Sequence, residues 1–470
     1  MIRKYMKGVI LLGVILSMGF TSCGVTGKYK APEVDAQNLF RGIDPTDTTT
    51  IANIPWREYF SDPILQALID EGLNNNYDLR IAVTRIQQTE ASLYIAKSAF
   101  FPTVALGGQV QHQRSSVSNG HEHIFGYDAG TTYSLGIAVQ WEADIWGKLN
   151  SKKKAQYAQY LNSHAYRNLI QTSLISNIAT TYYSLLALDE QLKVTKETVV
   201  LLEESTETMK AMMAAGLLNR AGVKQSEGLL YSTKVSIPTL ENQINQLENS
   251  LSLLLGRKPG PITRTDINKQ SVPVELAIGV PTQMLAKRPD VMQAEMSFRY
   301  AFEMKNVAQR SLYPSITLNS GSMAGFTTVN TLSQFFKPQN LFANIIGGLT
   351  QPIFAGNQLR GQLKIAKAQQ EEALLTFEKT VLTASQEVSN ILSTYDSSLR
   401  KNNDRTKQVE SLSTAVNDTK ELLKAGEANY TEVLTAEQNL LQAQLGQVND
   451  KLEQLQATVN LYRALGGGVE

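Results

Sequence analysis

Residues 132–142 read TYSLGIAVQWE, so bulky apolar side chains alternate with small or polar ones along this segment. The apolar side chains occupy every second position from Tyr133 to Trp141. Alternation with a period of two places each class on its own face of a β-strand. A segment of about ten residues is also the length of a tilted strand that crosses a lipid bilayer. The segment therefore predicts a strand with one apolar and one polar face.

Three further segments alternate in the same way, namely 103–112, 315–323 and 341–351. Their polar faces carry Gln, Ser, Gly and Thr, which suit a water-filled interior. Pro102 and Pro314 open two of these segments and Pro352 closes another, as expected where a strand gives way abruptly to a different structure. A half-buried soluble sheet would show the same alternation, but the polar faces and the prolines favour membrane strands.

Four strands per chain cannot close a barrel, because about eight is the smallest number that encloses a filled interior. Open sheet edges are not tolerated in lipid. If the four segments are membrane strands, the chain must oligomerise to complete its barrel. Three copies would supply about twelve strands.

Long helical segments make up most of the remaining chain. Residues 148–213 and 357–424 contain no proline, and a helix of that length measures on the order of 100 Å. Apolar residues from Leu441 to Tyr462 are spaced by four and three positions in turn, which is the period of a coiled coil. Pro238 should kink or interrupt its helix. The sequence thus predicts a mixed fold, with a long coiled-coil α-helical barrel and a transmembrane β-barrel.

The two halves of the chain resemble each other. The segment around Pro102 matches the segment around Pro314, 212 positions later. Further along, Ala215-Gly216 matches Ala425-Gly426 and Leu255-Gly256 matches Leu465-Gly466, both at an offset of 210 positions. An ordered series of matches at nearly constant offset indicates two internal repeats of one unit.

The first residues predict an export signal. Arg3, Lys4 and Lys7 form a positive head, and an apolar run over 9–20 follows that is too short to span a bilayer. Cys23 comes directly after this run and is the single cysteine of the chain. The pattern resembles a bacterial lipoprotein signal, in which Cys23 would become the lipidated first residue. An ordinary secretory signal that happens to contain a cysteine is the alternative.

Composition excludes several classes of function. Lys plus Arg number 44 and Asp plus Glu 43, so the net charge of +1 provides no strong basic field for nucleic acid. One cysteine and four histidines leave little material for a metal centre, and the glycine-rich phosphate loops are absent. The best enzyme candidate is His121-Glu122-His123 in a loop rich in Ser, Asn and Gly, where a solvated loop is the simpler interpretation. We therefore expect no catalysis, no cofactor and no metal.

Four short motifs carry a family resemblance. They are QWEADIWGKL at 140–149, RPDVMQAE at 288–295, LTQPIFAG at 349–356 and YRALGGG at 462–468. Together they resemble the TolC-like outer membrane efflux proteins, in particular the lipid-anchored (NodT-type) branch. The resemblance implies a homotrimer with a twelve-stranded barrel and a helical tunnel, which serves as a passive exit for small molecules. It also implies a periplasmic adaptor and an inner-membrane pump, of the RND type, as partners in a tripartite system.

These features together predict the organisation of the chain. The expected parts are a lipoprotein signal peptide at 1–22, a lipid-anchored segment at 23–61, a first helix-strand-helix repeat at 62–256, a linker in the equatorial region at 257–275 and a second repeat at 276–470. The runner-up interpretation is a lipid-anchored periplasmic coiled-coil structural or adaptor protein without a barrel. That interpretation gives the alternating segments no purpose.

Several residues stand out at the ends of the predicted elements. Trp141 and Trp146 lie where a strand would leave the membrane, and amphipathic rings favour that interface, although plain packing would also explain them. Gly147 and Gly356 relax the backbone where a strand becomes a helix. The residues predicted at the two hairpin tips, which touch the adaptor in the resembled family, are Ala215, Gly216, Leu217, Ala425, Gly426 and Glu427.

The resemblance also predicts the periplasmic aperture. It places Glu432 at an acidic position of the mouth, and Thr435 where some members have a second acid. Threefold symmetry would bring three Glu432 carboxylates together in a narrow throat, and a ring of carboxylates attracts cations. A solvated glutamate near a helical tip is the alternative interpretation.

Overall fold

The computed structural model describes residues 26–33, 51, 54–114, 129–271 and 287–469. Cys23 and the histidines of the loop at 121–123 lie outside the described residues. The chain divides into two compact units. One unit comprises 1–32, 88–161 and 295–375, and the other comprises 33–87, 162–294 and 376–470. Within the described residues, no helix combines the length and the apolar character that a membrane crossing requires.

Helices and strands follow one another in two similar series. The first comprises α1 (Trp56–Tyr59), α2 (Pro63–Asn75), α3 (Tyr77–Ser98), β1 (Thr103–Arg114), β2 (Ala129–Ala143), α4 (Lys148–Ala214) and α5 (Arg220–Leu254). The second comprises α6 (Pro289–Arg310), β3 (Ser315–Val329), β4 (Leu341–Ala343), β5 (Gly347–Thr350), α7 (Gln358–Ala425) and α8 (Tyr430–Ala464).

The strands form one antiparallel sheet in the order β1-β2-β3-β4, and β5 also pairs with β3. The predicted single strand at 341–351 is wrong, because residues 344–346 separate β4 from β5. The register explains the break. From Leu318 to Ala324, β3 carries two more residues than the segment from Ala343 to Gly347 opposite it. A matching shift interrupts the pairing of β2 with β3, so this bulge prevents a continuous fourth strand.

The predicted alternation of the strand faces is confirmed on β1 and β2. Val104, Leu106 and Val110 of β1 are 66%, 72% and 67% exposed in the single chain. Each of them lies opposite an apolar residue of β2, in the pairs Val104–Val139, Leu106–Ile137 and Val110–Tyr133. The other face pairs small or polar residues, for example Gln109 with Ser134. β1 and β2 together therefore present one apolar face.

The long helices agree with their predicted limits within one residue. α4 has 67 residues and α7 has 68, so each is about 100 Å long. α5 runs through Pro238 as one helix, so the predicted interruption does not occur. The helical region that opens the first predicted repeat is divided at Asn76. This residue ends α2, and its side chain accepts a hydrogen bond from the Leu79 amide of α3 at 3.0 Å.

The largest core cluster lies in the second unit, where α2, α4, α5 and α8 meet. Tyr182, Ile178, Leu251 and Leu255 are fully buried there. Gly72 allows α2 to approach α4 closely, because a Cβ at this position would lie 2.4 Å from the Ile178 Cδ1 atom. The long helices are therefore fixed by close packing at one level of the unit.

Candidate functional site

Both helical hairpins turn in the same way at their tips. Gly216 and Gly426 each have φ of +77°, a left-handed conformation that favours glycine. The Leu217 amide donates to the Met212 carbonyl at 2.9 Å, and the Glu427 amide donates to the Leu422 carbonyl at 2.9 Å. With the matching bonds of the two glycine amides, these contacts form a Schellman motif that ends each long helix.

Asparagines begin the returning helices. The Asn219 side chain accepts from the Gly222 amide at 3.1 Å, and the Asn429 side chain accepts from the Thr431 amide at 2.9 Å. Such N-caps satisfy backbone donors at a helix start. A few residues therefore connect the helices at each tip, and most of these residues are exposed. The structure places all six predicted tip residues at these two turns.

Glu432 has a local structural role that the sequence analysis did not identify. Its carboxylate accepts a hydrogen bond from the Asn429 side-chain amide at 2.7 Å, and its own amide donates to the Asn429 oxygen at 3.2 Å. Asn429 therefore caps the start of α8, and the Glu432 carboxylate holds the capping side chain in place. Glu432 and Thr435 are both exposed in the single chain. Both side chains are therefore exposed to solvent close to the tip of the second hairpin.

The two hairpins pack together near their tips. Tyr430 lies against Gly222, where an added Cβ would be 3.1 Å from the tyrosine ring. Next to this contact, Met209, Val223 and Leu434 form a small buried cluster. Glycine at 222 is therefore needed for the close approach of the two helix starts, a requirement that sequence patterns alone did not reveal.

An ion pair recurs in both hairpins. Lys210 lies 3.8 Å from Glu227, and Lys420 lies 2.9 Å from Glu437. Both residues of the second pair stand 210 positions after those of the first, which is the offset of the sequence repeat. The second pair is the more buried, so removal of one of its partners would leave the other charge buried and uncompensated.

Two tryptophans at the end of β2 form hydrogen bonds to the segments that precede β1 and β3. The Trp141 indole donates to the Phe100 carbonyl at 2.9 Å, and the Trp146 indole donates to the Pro314 carbonyl at 2.7 Å. The Trp146 ring also lies 5.2 Å from the Tyr313 ring, between centroids. Their apolar faces stay partly exposed, as expected of side chains at a boundary between lipid and water.

The first strand-to-helix transition is tightly supported. Gly147 has φ of +75°, so the chain turns where a side chain would be strained. Asp144 caps α4 by accepting from the amides of Leu149 and Asn150 at 2.8 and 2.9 Å. The Arg310 guanidinium donates to the Gly147 carbonyl and fixes the turn from the other side.

The second transition also turns at a glycine, but without this support. Two consecutive residues have positive φ there, Gly356 at +54° and Asn357 at +61°. Among the described residues, no atom other than those of its chain neighbours lies within 4 Å of a Cβ placed on Gly356. Ile353 and Phe354, just before it, are 98% and 84% exposed in the single chain. Both transitions therefore place a left-handed glycine just before the long helix, and they differ in their surroundings.

A buried polar cluster links α2 to the described part of the predicted linker. The Asp62 carboxylate accepts hydrogen bonds from Tyr182 at 2.8 Å, Thr265 at 2.7 Å and Gln270 at 2.7 Å. Burial raises the pKa of Asp62, but these hydrogen bonds together hold the pKa below its ordinary value. The linker is thus fastened to the helices, and Asp62 is a structural residue that the sequence analysis missed.

A second charged cluster explains two of the sequence motifs. Arg288 donates to Asp290 and Glu387, each at 2.7 Å, and to the Ala464 carbonyl. Arg463 donates to the other oxygen of Glu387 at 2.6 Å. A cavity of about 500 Å³ adjoins this cluster. The Arg-Pro-Asp segment and the segment around Arg463 are therefore joined by ion pairs through Glu387.

Chemistry-bearing clusters are scarce in the part of the chain that the structure describes. Within it, no group of three His, Cys, Asp or Glu side chains could hold a metal ion. The lipidation candidate Cys23 lies outside the described residues. The geometry therefore consists of two-faced strands, long paired helices and glycine turns.

Relatives with this architecture are known. The outer membrane efflux protein family matches residues 68–257 and 280–467. The chain is 29% identical to the probable outer membrane lipoprotein SilC of Salmonella typhimurium, over 88% of both chains. It is 27% identical to the cation efflux system protein CusC of Escherichia coli O6:H1, over 97% of this chain and 98% of that protein.

A solved structure agrees with this assignment. The outer membrane channel MtrE of Neisseria gonorrhoeae, in its open state, superposes with a TM-score of 0.80 at 25% identity. The superposition covers 94% of this chain and 99% of MtrE. The family accounts for the strands, the long helices and the hairpin turns at once, and it is a family of export channels rather than of enzymes. The chain therefore belongs to the outer membrane efflux protein family and is an efflux channel of the outer membrane.

Proposed function

We propose that three copies of this chain form the passive exit duct of a tripartite efflux system. The observation that carries this proposal is the open sheet. β1 lies at one edge, and β4 and β5 lie at the other. Unpaired backbone groups at a sheet edge are not tolerated in lipid, so a sheet with an apolar outer face must continue into another chain. Three sheets would close a barrel of about twelve strands.

Helix pairing supports the same assembly. Polar contacts join α4 to α5, α4 to α8 and α7 to α8, through Lys196–Glu241 at 3.0 Å, Gln191–Asn449 at 2.9 Å and Lys401–Glu453 at 2.8 Å. α5 and α7 are thereby left at the two edges of the set. α5 exposes Tyr231 and Val235 in the single chain. Exposed apolar side chains at this edge suit contact between α5 of one copy and α7 of the next.

The domain organisation belongs to the proposal. Two repeats, at 62–256 and 276–470, supply equivalent halves of each protomer, joined by the linker at 257–275. The two separate family matches and the recurring lysine–glutamate pair support this division. The signal peptide at 1–22 would direct export, and Cys23 would anchor the segment 23–61 in outer membrane lipid through acyl chains.

The hairpin tips are the proposed adaptor contact. They are short and exposed, and their glycines leave open space around the backbone. An inner-membrane pump of the RND type would deliver cargo through the adaptor. Glu432 and Thr435 would line the periplasmic aperture, where three carboxylates favour cations over anions.

The cargo is not decided by these features. CusC is named for cation efflux, ArpC of Pseudomonas putida for antibiotic efflux and OpmQ of Pseudomonas aeruginosa for pyoverdine export. Each is 27–28% identical to this chain, so overall similarity does not separate their cargoes. The duct itself would require no cofactor and no nucleic acid, and the pump would select what enters it.

The decisive experiment is the mass of the detergent-solubilised protein. Light scattering should give about three times the mass of the mature chain, and the purified protein should conduct ions across a planar bilayer. A well-folded monomer would contradict both the barrel and the tunnel. A heat-stable gel mobility, unchanged by boiling, together with an absence of conductance would favour the coiled-coil protein without a barrel.

A further inference from the structure

The described N-terminal residues 26–33 lie along the first unit in a regular way. Every third residue, Thr26, Tyr29 and Pro32, is half-buried, and the residues between them are exposed. Such a period of three is expected of an extended segment that rests one edge on a surface. The segment is therefore a strap held by specific side chains.

Tyr29 occupies a built site on α6. Its hydroxyl donates to the Glu295 carboxylate at 3.2 Å, and its ring lies 6.0 Å from the Phe298 ring and 5.7 Å from the Phe302 ring. The Arg299 guanidinium lies 5.3 Å from the tyrosine ring centroid, within range of a cation–π interaction. Four side chains on one helix thus receive one side chain of the strap.

Thr26 is held at the end of the same helix by Arg310. One nitrogen of this guanidinium donates to the Thr26 hydroxyl at 2.7 Å. The other donates to the Gly147 carbonyl and to the Ser151 hydroxyl, the latter at 2.7 Å. Ser151 in turn donates to the buried Glu303 carboxylate at 2.8 Å. Arg310 therefore joins the strap directly to the first strand-to-helix transition.

We propose that Thr26 and Tyr29 fasten the lipid-bearing N-terminus to the first strand-to-helix transition, with Arg310 as the positioning residue that joins the two. The proposal rests on the lipidation of Cys23 and adds a location to it. Cys23 lies outside the described residues, but only two residues of the sequence lie between it and Thr26, and each step along an extended chain spans about 3.5 Å. Acyl chains on Cys23 would be tethered within about 10 Å of Thr26.

Through Arg310, Thr26 is joined to the turn at which β2 gives way to α4. Trp146 and Gly147 mark this turn, and Arg310 contacts the Gly147 carbonyl there. A strap at this height would hold acyl chains beside the inner rim of the barrel, where they reach lipid directly. The second transition, at Gly356, has no such contact within the described residues. Among the described residues, the N-terminal segment is therefore joined to the first transition and not to the second.

Hydrogen exchange in the membrane-embedded, full-length protein tests the coupling. The double variant Thr26→Val, Tyr29→Ala removes the Arg310 bond and the aromatic contacts while leaving Arg310 itself in place. We expect exchange to accelerate about tenfold at the amides of 147–151, with no change at 356–361, because loss of a local contact opens only the segment it holds. The matched double variant Thr26→Ser, Tyr29→Phe keeps the hydroxyl at 26 and the ring at 29, and should exchange like the parent.

Equal acceleration of exchange at both transitions would mean that the strap stabilises the whole unit, and it would overturn the proposal. Unchanged exchange at 147–151 would overturn it as well.

A second measurement tests the location of the acyl chains. Cells supplied with a photoactivatable fatty acid should yield crosslinks from Cys23 to peptides near 100–104 and 141–149, and the double Val/Ala variant should lose about 90% of them.

Crosslinks that persist unchanged in the Val/Ala variant would show that the strap does not position the lipid. The mass of the N-terminal peptide separates this result from a failure of lipidation. An unacylated Cys23 would overturn the lipid anchor itself, and with it the positioning, before any crosslink is compared.

Discussion

Glu432 has one observed role at the start of α8 and one proposed role in the aperture, and a single substitution can separate them. Its side chain accepts a hydrogen bond from the Asn429 side-chain amide, and the amide oxygen of a glutamine could accept the same bond. Glu432→Gln should therefore preserve α8 and remove only the charge. We expect the reversal potential across a planar bilayer under a salt gradient to shift towards zero, because a neutral ring no longer favours cations.

The matched control is Glu427→Gln, which removes an exposed acid from the same tip outside the proposed aperture. It should leave the reversal potential nearly unchanged. If both variants behave like the parent, Glu432 has no part in ion selection, and its hydrogen bond with Asn429 is its whole role.

Asp62 predicts a pH dependence of stability. Its hydrogen bonds hold the native pKa below the ordinary value of an aspartate, which is about 3.9 in an unfolded chain. The stabilisation is thus fully present above that value and is lost as the pH falls through the native pKa. The parent's melting temperature should drop steeply below about pH 4, whereas Asp62→Asn should start lower and show a flatter profile. Parallel profiles would exclude Asp62 as the source.

At the scale of elements, the hairpin tips combine a required backbone conformation with open space. Gly216→Ala and Gly426→Ala should cost about 1 kcal/mol each, because φ is positive at both positions. The corresponding tryptophan variants carry the same strain and add bulk at the proposed docking surface. We expect the tryptophan variants alone to reduce crosslinking to the adaptor several-fold, with trimer assembly intact.

Efflux measured in the same cells provides the functional readout. If the tryptophan double variant supports efflux as well as the alanine double variant does, the tips do not contact the adaptor. A parallel loss in both variants would instead point to the turn conformation itself.

The strand faces make a second prediction at this scale. Leu106 lies in the exposed apolar row, whereas Gln109 lies on the opposite face, against Ser134. Leu106→Arg should destabilise membrane insertion by about 2–4 kcal/mol, because a cation on the lipid face is costly. Gln109→Arg should insert normally and reduce cation conductance. Fractionation and conductance of the two variants check both statements, and equal insertion would mean that the faces have been assigned wrongly.

The sequence predicted the limits of α4 and α7 because heptad spacing and the absence of proline are local properties. It predicted the tip glycines for the same reason, since positive φ restricts the choice of residue. It did not predict the break at Asn76, whose side chain also donates to the Leu254 carbonyl at 2.9 Å, far along the chain. The cluster around Asp62 and the arginine joint at Arg310 likewise depend on residues more than a hundred positions apart.

The fourth strand shows a different limit. Its residues alternate well enough to predict one strand, but the bulge that interrupts it arises in β3, the neighbouring strand. Pairing register is a property of two segments together, so no pattern within 341–351 could reveal it. Pro238 does not end α5, and the helix continues on both sides of it.

At the scale of the whole molecule, the edge of α5 offers the sharpest test of assembly. Val235 is exposed in the single chain and lies on the proposed seam with α7 of the next copy. Val235→Glu should shift the protein from trimer towards monomer in light scattering, because a charge would be buried at the seam. Ser236→Glu places the same charge at a neighbouring exposed polar position and should remain trimeric. Two stable trimers would remove α5 from the interface.

The interrupted fourth strand has a mechanical consequence for the barrel. β1 presents 12 residues to the next copy, whereas β4 and β5 together offer only 7 in return. In the proposed trimer, fewer backbone hydrogen bonds can therefore form between two protomers than between β1 and β2 within one protomer. If the barrel is stretched, the contacts between protomers would separate before the strands within one protomer do. Lateral tension in the membrane would thus change the inner diameter of the barrel and leave the sheet of each protomer intact.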